Sequence, residues 1–567
     1  MRLTADRRSP HAQRMLAPFM GTVIGIFILG AVWSAQAQFT RELGPLDRWG
    51  QETPNPPPQA VSGQPTGRRY RKALGFMRQG DYEKAAAAFG ELIEKNPDDH
   101  PARLGRCYAF IKQGKLNDAL PEILSVIQKE PYNARAYALL GIVLLRSGVF
   151  SQSARAFETA LTLNEKEPLA LAGLAELDFF ENRSDLSYQR LRRATALDPN
   201  EPDFWIALGR AAARLEKFRE AAEHYERFLA VSPKLDHERR ERYRGLIEFY
   251  RALSTLGITH LHRIEGPRVV RIPLRLQNDR PFIQARVGEG NVLNLVIDTG
   301  ASISVLSQDA VEKLGIRPLA RGGRARAVGG SGSFPIVYGL LDSLTLGELK
   351  IYNVPIYIRP FHHLPTRESN SETVLADGFL GLSVLSNFRV TLEYGTQQLI
   401  LENDPPPVAA SVNPLPDQTS EIPFRTTNGG LVSAEVRLHN GEVVNFLVDT
   451  GASATVLGSH IVKKYGFEKY ILQSPKIRVL GAAGVIENVD LILVPSLSMD
   501  GLIQKNIRAP VLDLEAVNES AGFMQAGILG GSFLKHFRVV FDFARARLML
   551  TRLGQEGEKT SSALYDD

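Results

Sequence analysis

Between residues 68 and 233 the apolar positions follow a helical pattern, and beyond residue 260 they shorten into alternating runs rich in β-branched residues and punctuated by glycine. The change predicts helices followed by strands. The helical part repeats itself. Pro97, Pro131, Pro199 and Pro233 fall on a ladder with a 34-residue step, and Glu165 occupies the remaining rung. Within the repeats, Trp205, Leu208-Gly209, Ala221 and Tyr225 of one copy are echoed by Tyr137, Leu140-Gly141, Phe157 and Ala160 of another and by Ala85 and Phe89 of a third. Small residues let paired helices approach closely, and large ones fill the gaps between them. Trp205 is expected in this core. Residues 236–255 read as a further helix that closes the apolar end of the stack.

The 34-residue period resembles that of tetratricopeptide repeats, of which residues 68–233 would hold about five. With the closing helix, the all-α solenoid is expected over residues 68–256. Residues 38–67, dense in Pro, Gln and Gly, read as an extended linker. Before them lies a targeting segment: Arg2, Arg7, Arg8 and Arg14, an apolar run over residues 15–33, then Ala35 and Ala37, which fit a signal-peptidase site before Gln38. Residues 1–37 are thus expected to be a signal peptide, with an uncleaved anchor through residues 15–33 as the second reading, because the run is just long enough to span a bilayer. Both readings export the rest of the chain, with a periplasm as the expected location.

The all-β part is duplicated. Leu295-Val296-Ile297-Asp298-Thr299-Gly300-Ala301-Ser302 returns 151 positions later as Phe446-Leu447-Val448-Asp449-Thr450-Gly451-Ala452-Ser453. A glycine-rich stretch follows each copy, Val328-Gly329-Gly330-Ser331-Gly332 in the first and Leu480-Gly481-Ala482-Ala483-Gly484 in the second. Further on, Gly378-Phe379-Leu380-Gly381 pairs with Gly527-Ile528-Leu529-Gly530. Three motifs in one order at nearly constant spacing mark a repeated unit, with lobes at 260–403 and 420–553, a proline-rich linker at 404–419 and a polar tail, 554–567, expected to be unstructured.

Two Asp-Thr-Gly motifs at the ends of apolar strands, each with its downstream apolar-apolar-Gly, resemble the aspartic peptidases of the pepsin and retropepsin clan over residues 268–553. The resemblance implies an all-β bilobal fold in which Asp298 and Asp449 meet across a pseudo-two-fold axis and activate one water between them. Like charges that close cannot both ionise easily, so one carboxyl keeps its proton; the general case of this dyad is well established. The ionised partner would act as base, the protonated one would polarise the scissile carbonyl, and the pair titrates as a unit. The resemblance further implies that Thr299 and Thr450 hydrogen-bond across the lobe interface, that Gly300 and Gly451 allow a tight turn at the carboxylates, and that Gly381 and Gly530 let the chain pass beneath each loop. Gly329, Gly330, Gly332, Gly481 and Gly484 would sit in two flaps that close over an extended peptide. Tyr338 lies too far along the chain to match a flap tyrosine of the pepsin kind. Ala301 and Ala452 stand where pepsins carry serine, which weakens any expectation of a strongly acidic optimum.

The remaining features narrow the picture. A net charge of +5 over 567 residues gives no reason to invoke nucleic acid. The single cysteine, Cys107, lies on an apolar helical stretch and reads as a buried thiol. His362-His363 has no third ligand at useful spacing, so no metal is expected, and no cofactor. The glycine loops lack the Lys-Ser/Thr ending of a phosphate loop. Arg317, Arg321, Arg324 and Arg326 read as a solvated loop, with a preference for acidic substrate residues as the lesser alternative. The expected activity is peptide hydrolysis, with the concave face of the repeats docking a substrate or protein partner. A peptide-binding scaffold that cuts no bond is the rival, and pairing of each lobe with another molecule is a third arrangement.

Overall fold

The computed structural model describes residues 67–288, 290–329, 332–361, 375–403 and 419–553. The targeting segment, the N-terminal linker except Gly67, His362-His363, the flap residue Gly330, all of the 404–419 linker except Thr419, and the tail lie outside the described residues. The chain packs as two compact units, residues 67–143 with 155–167, and residues 144–154 with 168–553.

The first unit is helical. Helices Arg68–Gln79, Tyr82–Lys95, His100–Lys112 and Leu116–Lys129 form antiparallel pairs. Asp81 and Asp99 start two of them by accepting hydrogen bonds from the Lys84 and Ala102 amides, which answers amide groups that the helix itself leaves unpaired. The small-against-large rule holds at atomic scale: a Cβ on Gly105 would lie 2.6 Å from the Phe89 ring, and one on Gly141 would lie 2.4 Å from the Phe157 ring. Pro97 and Pro131 sit in the turns between helices. Cys107 is fully buried, and burial pushes its thiol upward, so it stays protonated and inert.

The second unit carries the later helices and all the strands. Helices Pro168–Phe180, Ser184–Leu197, Pro202–Arg214, Phe218–Val231 and His237–Thr255 continue the repeat pattern, with Gly209 against the Tyr225 ring. Trp205 departs from expectation: it is half-buried, its indole Nε1 donates to the Pro199 carbonyl at 2.9 Å, and its neighbour Phe204 fills the core. An indole with a polar handle settles at the edge of a helix pair where that handle finds an acceptor.

The β part is two lobes joined by one shared sheet. Six strands, Val269–Pro273, Gln398–Asn403, Phe388–Glu393, Phe537–Asp542, Arg547–Arg552 and Thr419–Thr426, lie side by side in that order. At the centre, Phe388–Glu393 pairs antiparallel with its own duplicate, in register at Thr391 and Val540. Matching residues 149 positions apart make matching ion pairs: Arg389 with Asp542 at 3.1 Å and Arg538 with Glu393 at 2.8 Å. This is the isologous interface of a two-fold dimer, held within one chain. It decides the question the sequence left open, because the lobes pair intramolecularly.

The helix His237–Thr255 does more than close the repeats. Its apolar face packs on the strand Ala320–Arg326 of the first lobe, through Phe249, Leu253, Ala320, Ile336 and Tyr338. Phe249 and Tyr338 stack with centroids 4.8 Å apart, which accounts for Tyr338 being core. Contact is closest at Gly245, where a Cβ would lie 2.3 Å from the Gly322 Cα. Arg321, Arg324 and Arg326 therefore belong to a strand rather than a solvated loop, while Arg317 stays in a loop. Arg324 bonds Ser333 across the hairpin, and Arg326 pairs with Glu519 of the second lobe at 2.7 Å. Alanine at Gly245 must push backbone against backbone. Gly245→Ala is expected to destabilise the second unit by about 1–3 kcal/mol. Denaturant unfolding checks this, with faster amide exchange in residues 320–326 as the local sign.

Candidate active site

Each lobe delivers its aspartate the same way. The strand Asn291–Ile297, buried at the end that leads to the aspartate, lies between antiparallel Arg280–Val287 and parallel Gly378–Leu380, and Asp298 follows its last residue. In the second lobe Val443–Val448 lies between Val432–Leu438 and Gly527–Leu529, ahead of Asp449. Continuous apolar runs suit strands covered on both faces, and such strands move little. The Asp298 and Asp449 amides donate to the Leu380 and Leu529 carbonyls, both at 3.0 Å, which ties each loop to the strand beneath.

The two loops are interlocked through their threonines. The Thr299 hydroxyl donates to the Val448 carbonyl at 2.6 Å and accepts from the Thr450 amide at 3.0 Å. Reciprocally, the Thr450 hydroxyl donates to the Ile297 carbonyl at 2.7 Å and accepts from the Thr299 amide at 3.1 Å. Both threonines are fully buried, so each hydroxyl replaces water for a backbone group of the other lobe.

The interlock brings the carboxyls face to face. A Cβ on Gly300 would lie 2.3 Å from Asp449 Oδ2, and one on Gly451 would lie 2.5 Å from Asp298 Oδ1. Each glycine is thus the space that the opposite aspartate occupies. The Gly300 amide donates to Asp298 Oδ1 at 2.8 Å, and the Gly451 and Ala452 amides donate to Asp449 Oδ1 at 2.8 and 3.0 Å. Burial and the facing Asp449 carboxyl push Asp298 well above the ordinary carboxylate range; burial raises Asp449 too, against the opposing pull of its hydrogen bonds. The pair therefore holds on to a proton at pH values where an isolated carboxyl has lost it.

Gly381 and Gly530 lie directly under these loops, where a Cβ would come within 2.7 Å of the Ala301 carbonyl and 2.3 Å of the Ala454 carbonyl. A second support escaped the sequence reading. The Gly381 amide donates to Ser304 Oγ at 3.0 Å and the Gly530 amide to Thr455 Oγ1 at 3.3 Å. Ser304 and Thr455 stand 151 positions apart, so aligning the duplicates and asking for matched hydroxyls would have found them.

Two hairpin tips, one from each lobe, meet. The first joins Ala320–Arg326 to Ser333–Leu346, and the second joins Ile477–Gly481 to Gly484–Val489. The Ala483 amide donates to the Val328 carbonyl at 2.9 Å, and a Cβ on Gly329 would lie 2.2 Å from the Gly484 carbonyl oxygen. A Cβ on Gly481 would lie 2.2 Å from the Val328 carbonyl oxygen, whereas Gly332 has open space around it and a positive φ of 72°. The closest approach between the hairpins is therefore possible only for glycine. Also missed were two arginines of the first lobe, Arg280 and Arg359, whose charges act on the carboxyls. Nothing in their local sequence distinguishes them from surface arginines. Among the described residues no cluster of three or more His, Cys, Asp or Glu side chains could hold a metal ion.

The raised dyad has a stability signature. A carboxyl raised by burial and a like-charged neighbour is at home in its protonated form, so its contribution is complete at low pH and declines as pH rises through the raised value. Asparagine cannot lose a proton and escapes that decline. Asp298→Asn is expected to match the parent's melting temperature near pH ~4 and to exceed it progressively toward pH ~8. Thermal unfolding across that range checks it; a constant gap would contradict a shared proton.

Comparison with known proteins agrees with this architecture. The model of the aspartyl protease family matches residues 283–384 and again 432–533, and tetratricopeptide repeat models match residues 76–143 and 181–235. Among curated proteins, human protein O-mannosyl-transferase TMTC1 is 23% identical over 166 residues, 28% of this chain and 18% of that protein. The tetratricopeptide repeat-containing protein trd-1 of Caenorhabditis elegans is 23% identical over 195 residues, 34% of this chain and 22% of that protein. The chain thus spans about a fifth of the length of these relatives. Among solved structures, the aspartic proteinase of Irpex lacteus covers 50% of this chain and 98% of its own, at 15% identity and a TM-score of 0.32. A tetratricopeptide protein of Thermus thermophilus covers 32% and 97%, at 21% identity and a TM-score of 0.28. The chain therefore carries regions that match tetratricopeptide repeat models, followed by two regions in tandem that match the aspartyl protease family model.

Proposed function

We propose that this protein is an exported aspartic endopeptidase in which Asp298 and Asp449 share one proton and one water. The observation that carries the reading is the opposition of the two carboxyls, each against the other lobe's active-site glycine. In that geometry the ionised carboxylate draws a proton from a water held between the pair. The resulting hydroxide attacks the scissile carbonyl, while the protonated partner donates to the carbonyl oxygen and stabilises the charge that develops there. Collapse of the tetrahedral intermediate breaks the C–N bond, with a proton passing to the leaving amine. The two hairpin tips that meet would close over the dyad on an extended peptide bound as an added strand and keep bulk water out. The repeats would dock the substrate or a protein partner through their concave face.

Wild-type protein is expected to cleave members of a mixed peptide library, and Asp298→Asn and Asp449→Asn, made singly, to lose at least about 10³-fold in rate, since neither carboxyl alone supplies both roles. A pepstatin-like transition-state analogue should block the wild type. Peptide binding without cleavage under any condition would assign the cleft to binding alone. Export is proposed from the leader at residues 1–37. Cell fractionation and N-terminal sequencing should find the protein outside the cytoplasm, starting at Gln38 if the leader is cleaved and at its original start if residues 15–33 remain as a tether; cytoplasmic protein would refute export.

A further inference from the structure

The duplication allows the two walls of the cleft to be compared position by position. Arg280 lies two residues before Phe282, which pairs with Val296; in the second lobe the matching pair is Ser433 and Leu447, and two residues earlier stands Leu431. Arg359 pairs with Ser307 across a parallel ladder; the matching pair in the second lobe is Gly458 with Leu512. The first lobe therefore carries cations at two positions where the second carries leucines.

The surroundings follow the same division. Leu512 is buried in an apolar cluster with Leu447, Val456 and Ile528, and Leu431 packs against that cluster. Val328 of the first hairpin also rests on it, so the cluster extends to the hairpin tips. On the opposite wall, the Arg359 guanidinium lies over the rings of Phe334 and Phe361, 4.9 and 5.4 Å from their centroids, and donates to the Ala482 carbonyl at the tip of the second hairpin. The Nε atoms of Arg280 and Arg359 are buried without a hydrogen-bond partner among the described residues. Burial pulls both guanidinium groups downward, and the attraction of Asp298 on both, and of Asp449 on Arg280, offsets part of that. Cations held beside the dyad with hydrogen-bonding capacity to spare cost solvation, which a carboxylate ligand would restore.

We infer that the cleft is polarised, the first-lobe wall recognising a substrate carboxylate through Arg359 and Arg280 on one side of the scissile bond, an asymmetry that the leucines at the matching second-lobe positions do not share. The inference deepens the peptidase reading and rests on its cleft. The carboxylate belongs either to an internal Asp or Glu or to the free C-terminus of a peptide, and the two are separable by amidation. Arg359 and Arg280 are specificity residues, since the proton transfers belong to the aspartates.

The test uses the full chain and peptides bearing Glu, Gln or Lys at each position in turn, as free acids and as C-terminal amides. Glu on one side of the cleaved bond is expected to raise kcat/KM at least about tenfold over Gln, chiefly through KM, with Lys poorest. Arg359→Met should abolish the Glu-over-Gln ratio, whatever it does to the absolute rate through its effect on Asp298, Arg359→Lys should restore part of that ratio, and Arg280→Met should weaken it. A preference that survives amidation assigns an internal acidic residue; one lost on amidation assigns the terminal carboxylate. Equal use of Glu and Gln by the wild type, or the same preference in Arg359→Met, overturns the inference while leaving hydrolysis intact. Fluorescence anisotropy of the same peptides on Asp298→Asn reads the polarity without cleavage. If nothing is cut but Glu peptides still bind tighter, and Arg359→Met removes the difference, the peptidase reading fails and the polarised cleft stands.

Discussion

Everything at the centre of this molecule depends on two threonine hydroxyls that cross from one lobe to the other. Thr299 and Thr450 each donate to a carbonyl and accept from an amide of the opposite loop, and both are buried. Their four hydrogen bonds set the distance between the lobes where it matters most. Two carboxyls are held opposite one another in a buried setting, and burial raises the proton affinity of both, with the facing carboxyl adding to it for Asp298. The glycines beside them are part of the same constraint, since any side chain there would occupy the opposite carboxyl's place.

The shared sheet makes that constraint affordable. Because Phe388–Glu393 pairs with its own duplicate, the lobes meet through a buried ladder and two matched ion pairs rather than through the Asp-Thr-Gly loops alone. A fused two-fold also leaves each half free to diverge. The carboxyls, threonines, glycines and supporting hydroxyls keep the symmetry, whereas Arg280 and Arg359 break it against Leu431 and Leu512. Symmetry is retained where the two halves meet each other at the carboxyls, and lost at the positions flanking them.

The repeat helices meet the β lobes at two places within the second unit. Phe150 and Phe180 pack edge-on against Phe523 of the second lobe, with centroids 4.8 and 5.0 Å from its ring, while His237–Thr255 lies against the first lobe's hairpin strand. That hairpin is therefore held from behind by a helix and touched in front by the opposite tip. A strand so placed cannot shift without disturbing the Gly245–Gly322 contact, because two backbones at that distance leave no side chain to yield.

The residues that carry local chemistry could be read from the chain alone. The 34-residue ladder, the change from helical to alternating patterning, and two Asp-Thr-Gly motifs 151 positions apart are local or self-similar features, and duplication turns each weak motif into a matched pair. Contacts between segments that share no pattern could not be read. Gly245 against Gly322, Trp205 at an edge rather than in the core, Tyr338 under Phe249, the arginines beside the dyad, and the choice of intramolecular pairing all arise from which surfaces fold together. The amino-acid sequence determined which elements form and which side chains could do acid–base chemistry, because periodicity and residue type are properties of short stretches. Only the tertiary structure decided which of them meet, because a contact between distant stretches depends on shape, burial and close approach over the whole unit at once.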